Sequence, residues 1–302
     1  MSNLPKYYDP ETLARIQPLA LRARMLVEGV MAGLHHSSLR GQSIEFAQHR
    51  EYVAGDDLRQ VDWKVFAKSD RFYVKQYEDE TNLICFPLVD ISESMDFRGD
   101  NAPLTKLEYA QLIACAIAFV VTSQQDSSGL ITFDHRVRTW LPPSSGTDIM
   151  DDLVRVFETT VAEGPTDLNN SLLEVLQGLR RSSLLVLVTD GLSGDEQWIE
   201  ALKMVRLAGH DLIVIQVLDQ DEITFPFDMR TRFVGLEGTP TVETDPALIA
   251  AAYRRAMAEE LQRLERACSQ AGADYFRATT NQSLAVFLPN LLATRLVRGK
   301  RR

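Results

Sequence analysis

Phe86-Pro-Leu-Val-Asp90-Ile-Ser92-Glu-Ser94-Met95 is an apolar run that leads straight into three oxygen side chains at alternate positions, D-x-S-x-S. The apolar half belongs to a set: Ile84 to Val89, Gly129 to Phe133, Leu184 to Val188 and Leu212 to Leu218. Continuous apolar runs of this length are what parallel strands covered on both faces require, because neither side of the pleat meets water. Helical patterns stand between them, at Leu104 to Ser123, Asp148 to Val161, Leu168 to Leu179 and Glu196 to Ala208. Strand alternating with helix predicts an α/β fold with a doubly wound, mostly parallel sheet. Further on, Asp245-Pro246 opens a long helix with Gly272 as its stop, Tyr275 to Ala278 reads as a last strand, and Leu284 to Leu296 as a last helix.

Residues 1–80 read differently and are expected to form an N-terminal α+β accessory segment packed on a main domain of residues 81–302. Asp9-Pro10-Glu11 has the form of a helix start, and Pro18 restarts a helix with Leu19, Ala23, Leu26, Val27, Val30 and Met31 on one face. Gly33 to Gly41 reads as a loop, with His35-His36 a solvated pair. Ser43 to Ala47 is a short strand, Asp57 to Lys68 a helix, and Arg71 to Tyr77 alternates like a strand. Inside the main domain, residues 219–244 carry Pro226, Gly235, Gly238 and Pro240. They predict an inserted hairpin, Arg232 to Gly235 pairing with Thr239 to Glu243 around Glu237-Gly238.

The 302 residues are 45% hydrophobic and 25% charged, with 42 acids against 32 Lys and Arg and a net charge of −10, which argues against nucleic acid as the partner. No acid follows Asp274, whereas Arg277, Arg295, Arg298, Lys300, Arg301 and Arg302 do, so the negative charge belongs to the body. The first residues lack the apolar stretch of a secretory signal, and Leu112 to Val121 is about half of what a bilayer needs. A cytoplasmic chain without a transmembrane segment is expected. Cys85, Cys115 and Cys268 are widely spaced and read as buried reduced thiols. Met204 and Met257 fall in apolar helix patterns and are expected in the core.

Chemistry is concentrated where strands end. In an open α/β sheet, ligands bind outside the carboxyl ends of the strands at the point where strand order reverses. Besides D-x-S-x-S, the turn Gly164-Pro-Thr166-Asp167 precedes a helix, and Val188-Thr189-Asp190-Gly191 ends another apolar strand. These three loops can bring Asp90, Ser92, Ser94, Thr166 and Asp190 to one edge. Taken singly, each is an ordinary cap or turn residue. Together, carboxylates and hydroxyls are the hard donors that Mg²⁺ accepts in near-octahedral geometry. Two carboxylates and three hydroxyls leave the cation electropositive, which invites an acidic side chain from a partner.

D-x-S-x-S, the G-x-T turn and the T-D-G strand end, in that order on α/β alternation, resemble the metal-ion-dependent adhesion site of von Willebrand factor A domains. Upstream, Arg50-Glu51-Tyr52, Gly55-Asp56-Asp57-x-Arg59 and Val61-Asp62-Trp63 resemble the signature of the bacterial domain of unknown function 58 family. The resemblance implies Mg²⁺ (or Mn²⁺) held by Ser92 and Ser94 directly, by Asp90 directly or through water, by Thr166 from the second loop, and by Asp190 through water. It implies a protein-interaction module rather than an enzyme, with a MoxR-type AAA+ ATPase as the partner. Asp167 is expected to cap the helix starting at Leu168, and Glu93 to be a solvated carboxylate.

A Mg²⁺-dependent phosphoryl-transfer enzyme or phosphatase is the alternative, since a strand-end Asp cluster also suits that chemistry. Phosphatases of the haloacid-dehalogenase type need Asp where Ser92 stands, and no lysine adjoins the site in sequence. G-x-S-x-G, G-x-x-x-x-G-K-[ST] and G-x-G-x-x-G are missing from the chain.

Overall fold

The computed structural model describes residues 49–51, 72–75, 83–146, 148–192, 197–238 and 240–299. They belong to two compact units. In the smaller, β1 (His49–Glu51) pairs antiparallel with β2 (Tyr73–Lys75), Arg50 standing opposite Val74. β2 is the centre of the strand expected at Arg71 to Tyr77. The expected N-terminal helices, the His35-His36 loop, the Ser43 to Ala47 strand, the Asp57 to Lys68 helix and the Tyr52 to Trp63 part of the upstream signature lie outside the described residues.

In the larger unit the chain runs β3 (Ile84–Asp90), α1 (Lys106–Ser123), β4 (Ser127–Phe133), β5 (Val137–Ser144), α2 (Ile149–Thr159), α3 (Leu168–Gly178), β6 (Leu184–Thr189), α4 (Gln197–Leu207) and β7 (Asp211–Leu218). It continues through α5 (Gln220–Thr224), β8 (Thr231–Phe233), β9 (Val242–Thr244), α6 (Pro246–Gln270), β10 (Asp274–Thr279) and α7 (Leu284–Gly299). Six strands form one sheet in the order β10-β7-β6-β3-β4-β5. Every pairing is parallel except β4 with β5. This is the α/β, mostly parallel sheet that the apolar runs predict.

Alternation along the strands feeds two cores. On β6, Leu185 and Leu187 pack with Leu172, Trp198, Leu202 and Leu264, from α3, α4 and α6. Val186 and Val188 point the other way, into a cluster with Ile113, Leu153 and Phe287, from α1, α2 and α7. Each such side chain, fully buried, contributes about 1.5–3 kcal/mol, so a strand apolar on both faces is strongly held in the middle of the sheet. α1 is long and apolar enough to cross a membrane by composition, yet 72% of it is buried inside this fold. Among the described residues, Cys85, Cys115 and Cys268 are buried thiols, and burial pushes Cys115 and Cys268 up to about 12.

Local signals act as their chemistry predicts at most boundaries. Thr105 and Glu108 cap α1 reciprocally, and Asp245 with Pro246 starts α6. Gly272, at φ +73°, takes the left-handed step that ends α6. Met257 is buried against Leu218 and Leu261, as expected. Met204 is not, being 50% exposed. The buried side of α4 is Trp198, Ala201, Leu202 and Val205, and position 204 falls off that stripe. The 219–244 insertion contains the expected hairpin, though its strands are shorter and its loop longer, with Phe233 opposite Val242. It also contains α5, and β5 is a further strand that the sequence pattern did not separate from its surroundings.

Candidate metal centre

β3 and β6 are neighbours, and between them the chain reverses its progress across the sheet, running β3 to β4 to β5 on one side and β6 to β7 on the other. Their carboxyl ends therefore open a crevice, and Asp90 and Asp190 stand on it. Both are buried, as is Ser92, while Ser94 and Thr166 are half-buried on the rim. The first loop is a 3-10 turn over Glu93–Asp96. Ser92 precedes it in extended backbone, and Ser92 Oγ lies 3.1 Å from Ser94 Oγ. Oxygens on adjacent vertices of a Mg²⁺ octahedron with bonds of roughly 2.1 Å are roughly 3 Å apart, so this pair fits one edge of such a sphere.

Asp90 is fixed by its neighbours on both oxygens. Its Oδ1 accepts from Ser92 N (2.9 Å) and its Oδ2 from Thr189 Oγ1 (2.6 Å). Thr189 Oγ1 in turn accepts from Gly191 N at 3.1 Å. Burial, reinforced by the Asp190 charge, pushes the Asp90 carboxyl up to about 7 against the pull of the Thr189 and Ser92 hydrogen bonds. Glycine is needed at 191, where φ is +65° and an added Cβ would stand 3.0 Å from Leu264 Cδ2.

Asp190 has a partner that the sequence does not advertise. Lys106 Nζ, buried in the first turn of α1, donates to Asp190 Oδ2 at 2.9 Å and to Glu222 Oε1 at 2.8 Å. A lysine therefore stands beside the site in space, though none adjoins it in sequence. Burial works to raise the Asp190 carboxyl, but the Lys106 ammonium outweighs it and holds the group below the ordinary range. Burial likewise works to lower Lys106, and its two carboxylates hold it above its ordinary value instead. For Glu222, burial wins over Lys106 and the carboxyl is raised. Leu192 N also donates to the Asp190 carboxylate at 3.2 Å, and the Ser94 hydroxyl helps to hold that carboxyl low. The Asp190 carbonyl is held from below: Gln216 Nε2 donates to it at 2.7 Å, and Tyr275 OH donates to Gln216 Oε1 at 2.6 Å.

The second loop is laced to the first by Glu93 N to Gly164 O (2.9 Å) and Glu163 N to Ile91 O (3.0 Å). Asp167 caps α3, accepting from Asn170 N at 2.8 Å, as expected. Thr166 faces a carboxylate from the insertion: its N lies 3.2 Å from Glu237 Oε2 and its Oγ1 3.4 Å from Glu237 Oε1. Glu237 N in turn donates to the exposed Glu93 at 3.2 Å. Thus the first and third loops bring Asp90, Ser92, Ser94 and Asp190 together, the second loop, hydrogen-bonded to the first, carries Thr166, and Thr189, Lys106, Glu222 and Glu237 join their surroundings. A basic residue in the first turn of an otherwise apolar helix runs against the helix dipole, and that was the available signal for Lys106. The donor set, oxygen throughout, suits a hard divalent cation. The commitment of Asp190 Oδ2 to Lys106 suits an indirect role for that carboxylate.

The family model described as "Protein of unknown function DUF58" matches residues 48–265. Uncharacterized protein Rv1480 of Mycobacterium tuberculosis and uncharacterized protein Mb1516 of Mycobacterium bovis are each 28% identical over 222 residues, spanning 72% of this chain and 68% of their own length. Among solved structures, the conserved hypothetical protein BatB from Bacteroides thetaiotaomicron is similar with a TM-score of 0.47 and 16% identity, over 70% of this chain and 98% of that one. The SpRpn10 VWA domain is similar with a TM-score of 0.44 and 11% identity, over 70% of this chain and 95% of its own.

Proposed function

We propose, for a chain that belongs to the DUF58 family of proteins of unknown function, a non-enzymatic, metal-dependent protein-interaction module of the von Willebrand A type. Asp90, Ser92, Ser94 and Thr166 would hold Mg²⁺ or Mn²⁺, with Asp190 acting through water. A bound cation would supply a Lewis-acidic position for an Asp or Glu of the partner. The partner class we propose is a MoxR-type AAA+ ATPase, from the family resemblance in the sequence motifs. The observation that carries the reading is the convergence of Asp90, the Ser92–Ser94 hydroxyl edge and Asp190 on the ends of two adjacent strands where the winding reverses.

The chain's own residues have separable tasks in this reading. Thr189 and the Ser92 amide orient Asp90; Lys106 balances Asp190 and Glu222, so the crevice is not simply a pool of negative charge. The alternative of phosphoryl transfer is less well served, because Lys106 is committed to two carboxylates and Ser92 occupies the place of a second aspartate. Titration of Mg²⁺ or Mn²⁺ against thermal stability tests the proposal. A cation held at 100 times its Kd stabilises the folded state by about 2.7 kcal/mol. The shift is expected in wild type and is expected to be lost in Asp90→Ala and Ser92→Ala; equal shifts in all three would end the metal reading. Phosphatase turnover that disappears in Asp90→Asn would overturn the non-enzyme assignment. Affinity capture with and without EDTA then asks whether an AAA+ ATPase is retained only with metal.

A further inference from the structure

Glu237, at the tip of the inserted hairpin, places its carboxylate against Thr166 of the second loop. Its carboxylate spans the backbone N and the hydroxyl of Thr166, and its own N is tied to Glu93 on the first loop. The residue takes a left-handed backbone, φ +56°, followed by Gly238 at +73°. A glutamate rarely adopts that conformation, and such outliers persist where surrounding contacts hold them. Here the hairpin that carries it is anchored from one side: Phe233 stacks on Phe225 at 5.4 Å and meets Phe227 edge-on at 5.2 Å. Tyr253 of α6 lies against Phe225 at 4.4 Å. The aromatic anchor fixes the root of the hairpin, and the polar contacts tie its tip to Thr166 and Glu93.

We propose that Glu237 is a built-in acidic ligand of this centre, taking the coordination position next to Thr166 and shielding it from carboxylates in solution. The inference rests on the metal reading above and deepens it, since a partner must then displace the hairpin tip before its own acidic side chain can bind. Glu237 is well suited to displacement: its hydrogen bonds to Thr166 are long, at 3.2 and 3.4 Å, whereas those that orient Asp90 are 2.6 and 2.9 Å.

The test uses Mn²⁺ alone on the full chain, with water-proton relaxation reporting both the bound ion and its exchangeable waters. Wild type, Glu237→Gln, Glu237→Asp and Asp90→Asn are compared, with acetate as a small free carboxylate. Loss of the ligand in Glu237→Gln is expected to weaken Mn²⁺ binding by about tenfold and to raise the relaxation enhancement per bound ion by admitting an additional water. Acetate is then expected to lower that enhancement in Glu237→Gln and not in wild type. Glu237→Asp, too short to span the same distance, is expected to behave like Glu237→Gln. Wild-type affinity, hydration and acetate response in Glu237→Gln, together with loss of binding in Asp90→Asn, would overturn this proposal and leave the metal site standing. Binding unchanged in Asp90→Asn, or undetectable in wild type, would overturn both.

Discussion

The two sides of the candidate centre are built to different standards. On the strand side, Asp90, Thr189, Lys106 and Asp190 are all buried, and their mutual hydrogen bonds lie between 2.6 and 2.9 Å. On the loop side, Thr166 is half-buried and its contacts with Glu237 are 3.2 and 3.4 Å. The contrast follows from position in the fold. Asp90 and Thr189 terminate adjacent strands of the sheet, whereas Glu237 is delivered by a hairpin outside it. A low-dielectric setting makes each buried polar group costly to leave alone, so the strand side admits few alternatives. The loop side can exchange one oxygen for another.

That contrast can be broken at its strongest point first. Lys106→Met leaves Asp190 and Glu222 buried without their cation, and breaking a buried ion pair costs about 3–5 kcal/mol; denaturant unfolding is expected to show a loss of that order. A loss no larger than that of a surface variant would mean that the strand side is as adaptable as the rim. Thr189→Val keeps the shape but removes the donor to Asp90 Oδ2. An unsatisfied buried partner costs about 1–3 kcal/mol, read by the same unfolding measurement. Gly191→Ala asks an alanine to adopt φ +65°, a conformation costing about 1–2 kcal/mol for a residue with a Cβ; its midpoint should shift accordingly. Glu237→Gln should move stability by less than about 0.5 kcal/mol, while hydrogen exchange in residues 234–238 accelerates. If Glu237→Gln destabilised the protein as much as Thr189→Val, the two sides would not differ in kind.

Legibility from sequence divides along the same line. Ile84 to Val89, Leu184 to Val188 and Leu212 to Leu218 were readable because a strand buried on both faces has a local signature. Asp90, Ser92 and Ser94 were readable because their spacing is local too. Lys106 meets Asp190 across 84 positions, Thr189 meets Asp90 across 99, and Glu237 meets Thr166 across 71. No local period encodes such meetings; they follow from strand order, which the alternation of elements leaves open. The turn at Glu237-Gly238 was legible as a turn, but not as a carboxylate aimed at another loop. Met204 shows the same limit on a smaller scale, since an apolar residue can fit a helical pattern and still fall outside the arc that the sheet covers.

β5, at the margin of the sheet, bears on how any second protein can approach. Open strand edges are invitations to backbone pairing, and many peptides are recognised by extending a sheet. β5 carries Pro142 and Pro143 side by side. Both lie in the bulge between the Leu141–Leu130 and Ser144–Ser128 pairings, and neither has a backbone N–H to give. A visiting strand would find a gap in its ladder there. Strand addition is discouraged along that stretch of β5, where the ladder bulges and two adjacent prolines offer no donor.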